Sequence, residues 1–179
     1  SGAIVRAATA ADAAAMAHIY NHYVSHTVVT FEETPVSVAE MASRLAEVDG
    51  LGLPWLVAAT PAGVRGYAYA GPWKNRCAYR HSVEVTVYLD SEAVGAGLGT
   101  QLYTALFAAL RQTVVHFAIG GIALPNDASV ALHEKFGMRK VAHFSEVGCK
   151  FGRWIDVGYW QLLLPSRAGP AAGAAIPRA

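Results

Sequence analysis

The stretch "EAVGAGLGTQL", residues 92–102, decides the fold, because it places three glycines between two different periodicities. Before it, "SVEVTVYL" (82–89) alternates valines with polar residues, as a half-buried strand does. After it, apolar residues return at helical spacing from Leu98 onward. A strand, a glycine loop and a helix N-terminus together offer backbone N–H groups and a helix dipole to a phosphate.

The spacing of these glycines argues against two kinds of nucleotide site. The pattern is G-x-G-x-G, whereas a dinucleotide fold has G-x-G-x-x-G and an acid about 20 residues later for the ribose. Residues 117–120, "FAIG", stand at that distance here, and the Lys-Ser/Thr pair of a P-loop is missing. A phosphate cradle and a purely structural strand-to-helix turn both remain open on the glycines alone.

The rest of the chain predicts a single α/β domain, with a mixed central sheet flanked by helices, over residues 1–164. Capping residues at Thr9 and Ser37 start two early helices. The final "PSRAGPAAGAAIPRA" (165–179) is too poor in apolar side chains for a core and predicts a disordered tail. The expected strands are 3–8, 54–60, 64–71, 78–90, 114–123, 138–148 and 154–164, and the expected helices run from Ala10 to about Tyr23, from 37–40 to about Val48, from about Gly97, and from about Ala128 to Phe136.

Composition narrows the class of protein. The chain has 179 residues, of which 54% are hydrophobic, but no apolar run reaches the roughly 18 residues of a membrane helix. A net charge of +1 with interspersed signs gives no nucleic-acid or membrane surface. The start lacks a signal-peptide pattern, and Cys77 and Cys149 fit no metal or redox spacing, so we expect reduced thiols in the cytoplasm.

A run of histidines raises the question of a metal site. His18, His22 and His26 recur at the helical spacing that places zinc ligands on one face. No cysteine lies near them in sequence, and the predicted helix ends before His26. We therefore expect no metal.

Several segments carry a resemblance to a known family. They are "IYNHYV" (19–24), "PWLVA" (54–58), "YAYAGPWKNRCAY" (67–79), "SVEVTVYL" (82–89), "LPNDASVALHE" (124–134) and "KFGRWIDVGYWQ" (150–161). Together with the glycine loop they resemble the GNAT N-acetyltransferase superfamily, and most closely the phosphinothricin N-acetyltransferases and relatives acting on methionine sulfoximine or sulfone. The resemblance covers about Ile4 to Leu164. It implies acetyl-CoA as co-substrate, a small amino acid analogue as acceptor, direct transfer in a ternary complex, and a homodimer.

The resemblance assigns the coenzyme to the glycine loop and the strand before it. The pyrophosphate would lie on the loop, and the pantetheine would pair with the strand backbone. Asn126 also fits the role of a helix cap, and both roles can hold at once. One departure is Val94, where the superfamily usually has Arg or Gln. The implied coenzyme-binding residues are Val87, Tyr88, Leu89, Gly95, Ala96, Gly97, Leu98, Gly99, Thr100, Asn126 and Ser129.

Two residues are candidates for proton transfer. Alternation places Glu84 on one strand face, and the resemblance makes it the base that accepts the ammonium proton through a water. A glutamate on a solvated face, or one paired with Arg76 or Arg80, is the alternative. A lone histidine on a helix, such as His133, is more often a side chain with no catalytic role. The resemblance nevertheless makes His133 the donor that protonates the leaving sulfur.

The acceptor site is predicted from cations and an aromatic residue. An amino acid with an extra anionic or sulfonyl-like oxygen needs such donors. Trp154 and Trp160 are expected in the core or in a subunit contact. The predicted substrate-binding residues are Phe31, Lys74, Asn75, Arg76, Arg80 and Thr86.

Two rival functions stay open. One is acetylation of another amine, including a protein N-terminus or lysine, although the basic "WKNRCAYR" stretch (73–80) is a poor lining for that groove. The other is a non-catalytic CoA-binding protein, which the presence of Glu84 disfavours without excluding.

Overall fold

The computed structural model describes residues 2–165, which form a seven-stranded sheet with helices on both faces. Short 3-10 turns lie at Ala10–Asp12, Cys77–Tyr79 and Ser91–Ala93. The strands are β1 (Ile4–Ala7), β2 (Trp55–Thr60), β3 (Gly63–Pro72), β4 (Ser82–Leu89), β5 (Phe117–Leu124), β6 (Arg139–Lys150) and β7 (Arg153–Leu163), and the helices are α1 (Ala13–His26), α2 (Val38–Gly50), α3 (Leu98–Leu110) and α4 (Asp127–Lys135).

The sheet has the order β1-β2-β3-β4-β5-β7-β6, and it splits in its middle. All neighbours are antiparallel except β4 and β5, which run parallel. These two strands pair only from Ser82–Glu84 to Phe117–Ile119. Beyond that they part, and the opening between 85–89 of β4 and 120–124 of β5 is called the wedge below.

Alternation along β4 divides its side chains between two cores. Val83 and Val85 are buried against α3, with Leu102, Leu106 and their neighbours. Tyr88 packs on the opposite face, where α1 and α2 cover the sheet. Since successive strand residues point to opposite faces, Glu84 shares the face of Tyr88, at the point where the wedge opens.

The predicted fold class and element order are confirmed, but some boundaries were wrong. The strand expected at 78–90 begins at Ser82, because the Tyr79 and Arg80 N–H groups turn back onto the Arg76 and Cys77 carbonyls. The strand expected at 114–123 begins at Phe117. The predicted tail lies outside the described residues except for Pro165.

The first helix also differs from its prediction. It is preceded by a 3-10 turn and continues to His26 rather than ending near Tyr23. The Asp12 carboxylate accepts from the Thr9 N–H at 2.8 Å and pairs with Arg6 at 2.8 Å. The Arg6 hydrogen bond is the main reason that the pKa of Asp12 falls to about 2.

Within residues 2–165 no helix is long and apolar enough to cross a membrane. The same part of the chain contains no group of three or more His, Cys, Asp or Glu side chains arranged to hold a metal. The rings of His22 and His26 stack on each other instead, 5.0 Å apart. Cys77 and Cys149 are exposed free thiols.

Candidate active site

A cavity of about 260 Å³ lies where β4 and β5 part. Glu84 and Thr86 reach it from β4, and Tyr159 reaches it from β7. The loop between α1 and α2, residues 27–37 (the α1–α2 loop), contributes Val29, Thr30 and Phe31, while α3 and α4 contribute Tyr103, Ser129 and His133. The wedge therefore brings side chains from both faces of the sheet to one space.

Glu84 is a half-buried carboxylate with no hydrogen bond or ion pair to any residue that the structure describes. It faces Gly121 of β5, where an added Cβ would lie 3.4 Å from Glu84 Oε1. Burial raises the pKa of Glu84 above its usual value. The alternative of a pairing with Arg76 or Arg80 is not observed, and an unpaired buried carboxylate of raised pKa is the arrangement that a general base requires.

His133 is buried, and both of its ring nitrogens have partners. Nδ1 lies 2.7 Å from the Ser129 carbonyl oxygen, so Nδ1 carries a proton and donates it there. Nε2 lies 3.0 Å from the Tyr103 hydroxyl and accepts from it in the neutral ring. Burial lowers the pKa of His133, which favours this neutral form. The ring fits against β5 because residue 120 is glycine: a Cβ there would lie 2.5 Å from Nε2.

Tyr103 is a site residue that sequence reasoning missed. Its side chain is fully buried in α3, yet its hydroxyl lies beside the cavity and next to His133. Burial, together with the nearby charge of Glu84, raises the pKa of Tyr103 far above its usual value. The only available signal was a phenol within an otherwise apolar helical stripe, and that pattern is equally typical of core packing.

The three glycines of the loop serve two purposes. Gly95 (φ 86°) and Gly97 (φ 77°) adopt left-handed backbone conformations with open space above them. Gly99 is buried under α4, where an added Cβ would lie 3.2 Å from Leu132 Cδ2. Gly97 precedes α3 without a side-chain cap, so the first N–H groups of the helix lack intrahelical partners. The structural turn is thus present, and the exposed backbone at Gly95 and Gly97 is compatible with the predicted phosphate cradle.

A cation lies at the start of the helix that follows the loop. Lys135, in the last turn of α4, donates from Nζ to Thr100 Oγ1 at 3.2 Å. Thr100 lies in the first turn of α3, so this ammonium stands at the positive end of the helix dipole. Val94, where a basic or amide side chain was expected, is exposed.

The remaining predicted coenzyme residues lie on β4 and at the start of α4. The edge of β4 that faces β5 has no strand partner from Val85 to Leu89 among the described residues. The Leu89 carbonyl accepts from the Tyr23 hydroxyl at 2.6 Å. The side chain of Asn126 accepts from the Ser129 N–H at 3.1 Å, so the helix-cap reading of Asn126 is confirmed.

The predicted acceptor residues divide into two groups. Phe31 and Thr86 line the cavity that contains Glu84. Lys74, Asn75, Arg76 and Arg80 line a separate cavity of about 640 Å³ beside the end of α2. The pairing of Pro72 with Val83 shows why: the chain has already passed the level of Glu84 when it enters this loop. Within one chain, the structure does not bring these four residues to Glu84.

Comparison with known proteins gives a consistent result. Residues 5–158 match the family model described as an acetyltransferase (GNAT) domain. The chain is 42% identical over 157 residues to phosphinothricin N-acetyltransferase of Streptomyces viridochromogenes, covering 88% of this chain and 85% of that protein. It is 36% identical over 168 residues to an L-methionine sulfoximine/L-methionine sulfone acetyltransferase of Salmonella typhimurium, covering 94% and 98%.

Solved structures agree with the sequence comparison. An acetyltransferase from Salmonella typhimurium with its cofactor acetyl-CoA superposes with a TM-score of 0.91 at 36% identity, covering 97% of this chain and 100% of that one. A ribosomal-protein-alanine N-acetyltransferase from Brucella melitensis superposes with a TM-score of 0.87 at 38% identity, covering 90% and 99%. The likeness therefore extends over the whole folded chain.

Proposed function

The chain belongs to the GNAT acetyltransferase family and is an acetyl-CoA-dependent N-acetyltransferase, and we propose that its acceptor is the α-amine of a small amino acid analogue of the phosphinothricin, methionine sulfoximine or methionine sulfone type. One observation carries the proposal: Glu84 is an unpaired carboxylate in a small cavity shared with Tyr103, at the opening of the wedge. An amine entering this cavity meets a carboxylate base of raised pKa.

The residues present fit the coenzyme. The open space above Gly95 and Gly97 and the uncapped start of α3 suit a pyrophosphate. The free edge of β4 at Val87, Tyr88 and Leu89 suits the amides of a pantetheine arm. Asn126 and Ser129 lie on the opposite side of the wedge and complete the proposed set. When bound, acetyl-CoA supplies the activated acetyl group as a thioester.

Glu84 acts as the base in this proposal. Its carboxylate accepts the proton of the acceptor ammonium through a water, which frees the nitrogen lone pair for attack on the thioester carbonyl carbon. A C–N bond forms, the C–S bond breaks and CoA leaves as a thiolate, which takes up the second proton that the nitrogen loses on becoming an amide; no covalent enzyme intermediate forms. Because the pKa of Glu84 is raised, it lies closer to the pKa of the ammonium whose proton Glu84 removes.

Tyr103 and His133 act on the departing sulfur together. The only N–H of neutral His133 is bonded to Ser129, so the group that can donate into the cavity is the Tyr103 hydroxyl, once its O–H rotates away from His133 Nε2. Because burial raises the pKa of Tyr103, this hydroxyl stabilises the developing thiolate by hydrogen bonding rather than by full proton transfer. His133 holds the ring of Tyr103 in place, and its predicted role as a direct donor becomes an indirect one.

We further propose that the protein is a cytoplasmic homodimer. An apolar patch on β6 and β7 supports the dimer, since Phe144, Val147, Phe151 and Trp154 are all exposed there. Exposed free cysteines favour a reducing compartment. The oligomeric state can be measured by sedimentation.

The acceptor ligands predicted in the loop after β3 also remain part of the proposal. They are Lys74, Asn75, Arg76 and Arg80.

A thiol-release assay tests the acceptor class. The protein is mixed with acetyl-CoA and each of phosphinothricin, methionine sulfoximine, methionine sulfone, a panel of other amines and a peptide with N-terminal alanine. We expect the highest kcat/KM on one of the three analogues. Absence of turnover on all three would overturn the proposed acceptor.

A protein N-terminus is the second candidate, favoured by the ribosomal-protein-alanine relative. Turnover of the peptide alone would establish it. The small size of the cavity argues against it, because Thr30 and Phe31 help to line a space of only about 260 Å³.

A further inference from the structure

Lys150, the last residue of β6, is a buried cation outside the machinery described above. Lys150 is only 1% exposed to solvent. Among the described residues, no carboxylate oxygen lies within 4.0 Å of its ammonium. The ion pairs in this part of the chain are formed by other basic residues. Burial lowers its pKa, although Glu33 and Glu32 partly oppose this. A lysine is seldom buried without a charged partner, so its position needs a reason.

The ammonium of Lys150 binds the wall of the acceptor cavity. Nζ donates to the Thr30 carbonyl oxygen at 2.8 Å, across 120 positions of sequence. Thr30 and Phe31 are the cavity-lining residues of the α1–α2 loop. Phe31 also packs on the same strand, because its ring covers Gly148, where an added Cβ would displace the ring. Two consecutive wall residues are thus fixed to the end of β6.

The shape of β6 brings Lys150 to this loop. The pairing of β6 with β7 shifts between Phe144 and Gly148, with a bulge at Glu146 (φ 51°). The Glu146 N–H donates to Asp156 at 2.8 Å, which fixes the bulge. After the bulge the strand is redirected, and Gly148 and Lys150 both face the α1–α2 loop.

We propose that Lys150 is a positioning residue for acceptor recognition: its bond to the Thr30 carbonyl holds Thr30 and Phe31 as the wall that selects the acceptor. This inference rests on the proposed function, since it concerns the cavity assigned to the acceptor. Stability alone does not explain a lysine at this position, because replacing a buried charge with an apolar side chain of similar volume is often neutral or stabilising. Its value lies in the geometry of the loop.

The test is Lys150→Met, which keeps the length of the side chain and removes the charge and the donor. We expect the KM for the preferred acceptor to rise about tenfold or more, a change typical of one lost positioning contact. We expect kcat within a fewfold of the wild type, an unchanged Kd for CoA, and an unchanged or higher Tm. Hydrogen exchange should accelerate over residues 27–37 and nowhere else.

Two further variants sharpen the test. Tyr20→Phe removes a second hydrogen bond that holds Thr30 from outside its loop, between hydroxyls 2.7 Å apart, and should also raise the acceptor KM. Lys140→Met is the matched control, since Lys140 lies on the same strand but is exposed, and its contacts, with His143 and the Trp160 ring, do not involve the α1–α2 loop. It should change neither the acceptor KM nor the exchange of the loop.

The outcomes separate this inference from the proposed function. Unchanged exchange over 27–37 in Lys150→Met overturns the positioning role, and so does a Tm decrease accompanied by equal losses of acceptor and CoA binding. If the wild type acetylates no amino acid analogue, the proposed function fails, and faster exchange confined to 27–37 still establishes that Lys150 holds the loop.

Discussion

The two sides of the wedge are built in different ways. On the coenzyme side the groups are mostly backbone: left-handed glycines, the start of α3 and the free edge of β4, all within residues 85–100. On the acceptor side they are side chains from separate segments, with Phe31, Glu84 and Tyr159 meeting only after folding. Backbone donors depend little on residue type, whereas a side-chain wall changes with each substitution. We therefore expect coenzyme binding to be insensitive to most changes that alter acceptor use.

The largest expected effect is on the acceptor side, at Glu84. Glu84→Gln should lower kcat by about 10²- to 10⁴-fold, the range for loss of a positioned base, and leave the Kd for CoA unchanged. In the wild type, kcat/KM should fall as pH drops through the raised pKa of Glu84, at a higher pH than an ordinary glutamate near 4.3 would give. Steady-state kinetics across pH and isothermal titration with CoA measure both effects.

Stability gives an independent check on Glu84. A raised pKa means that the charged form destabilises the fold, so Glu84→Gln should raise the Tm at neutral pH. This difference should vanish below about pH 4, where the glutamate is protonated in both the folded and the unfolded chain. A lower Tm at pH 7, or a weaker Kd for CoA, would show that the carboxylate has a structural role instead.

The next largest effect is expected at Tyr103, which lies between the coenzyme side and the acceptor side of the wedge. Tyr103→Phe removes only the hydroxyl and should lower kcat by about 10²- to 10³-fold, as loss of one donor to developing charge does. The acceptor KM should change little, and a leaving group of lower pKa should reduce the defect. His133→Gln is the companion variant, since it disturbs Tyr103 indirectly and should cost less. A larger defect in His133→Gln than in Tyr103→Phe would restore His133 as the direct donor.

A smaller effect is expected on the coenzyme side, at Gly97. Gly97→Ala forces a side chain onto a left-handed backbone, which costs roughly 1–2 kcal/mol, and points a Cβ into the cradle. We expect the Kd for CoA to rise about tenfold while the acceptor KM stays within a fewfold. Gly50→Ala is the control, because an added Cβ there meets no atom within 4 Å and φ is ordinary. Equal losses in the two variants would mean that the cradle is not the binding surface.

The smallest effect concerns the residue missing from the loop. Val94→Arg should lower the Kd for acetyl-CoA about threefold, as one exposed charge contact does. Lys135 already stands at the start of α3, so the gain should be larger in a Lys135→Met background. Titration calorimetry at two salt concentrations measures the cycle. An equal decrease of the Kd in both backgrounds would show that Lys135 does not interact with the phosphate that the introduced arginine would contact.

The same contrast explains what the sequence could predict. The glycine loop, the alternation that orients Glu84 and the order of elements are local patterns within short windows, and they were predicted correctly. Tyr103 was missed because its hydroxyl is identified only by the approach of His133 from another helix. Lys150 was missed because its partner is a backbone carbonyl 120 positions away. Lys74, Asn75, Arg76 and Arg80 were expected at the cavity of Glu84, since sequence shows the charge of a loop but not the cavity to which it turns.

The short pairing between β4 and β5 has a consequence for cohesion. Three residue pairs join a four-stranded half-sheet, β1 to β4, to a three-stranded one, β5 to β7, and packing of side chains and helices adds further contacts between them. In the proposed binding mode, a pantetheine arm along β4 supplies hydrogen bonds where the next strand has moved away. The cofactor then completes the secondary structure of the enzyme as well as serving as its reagent, and the filled protein is a more continuous sheet than the empty one.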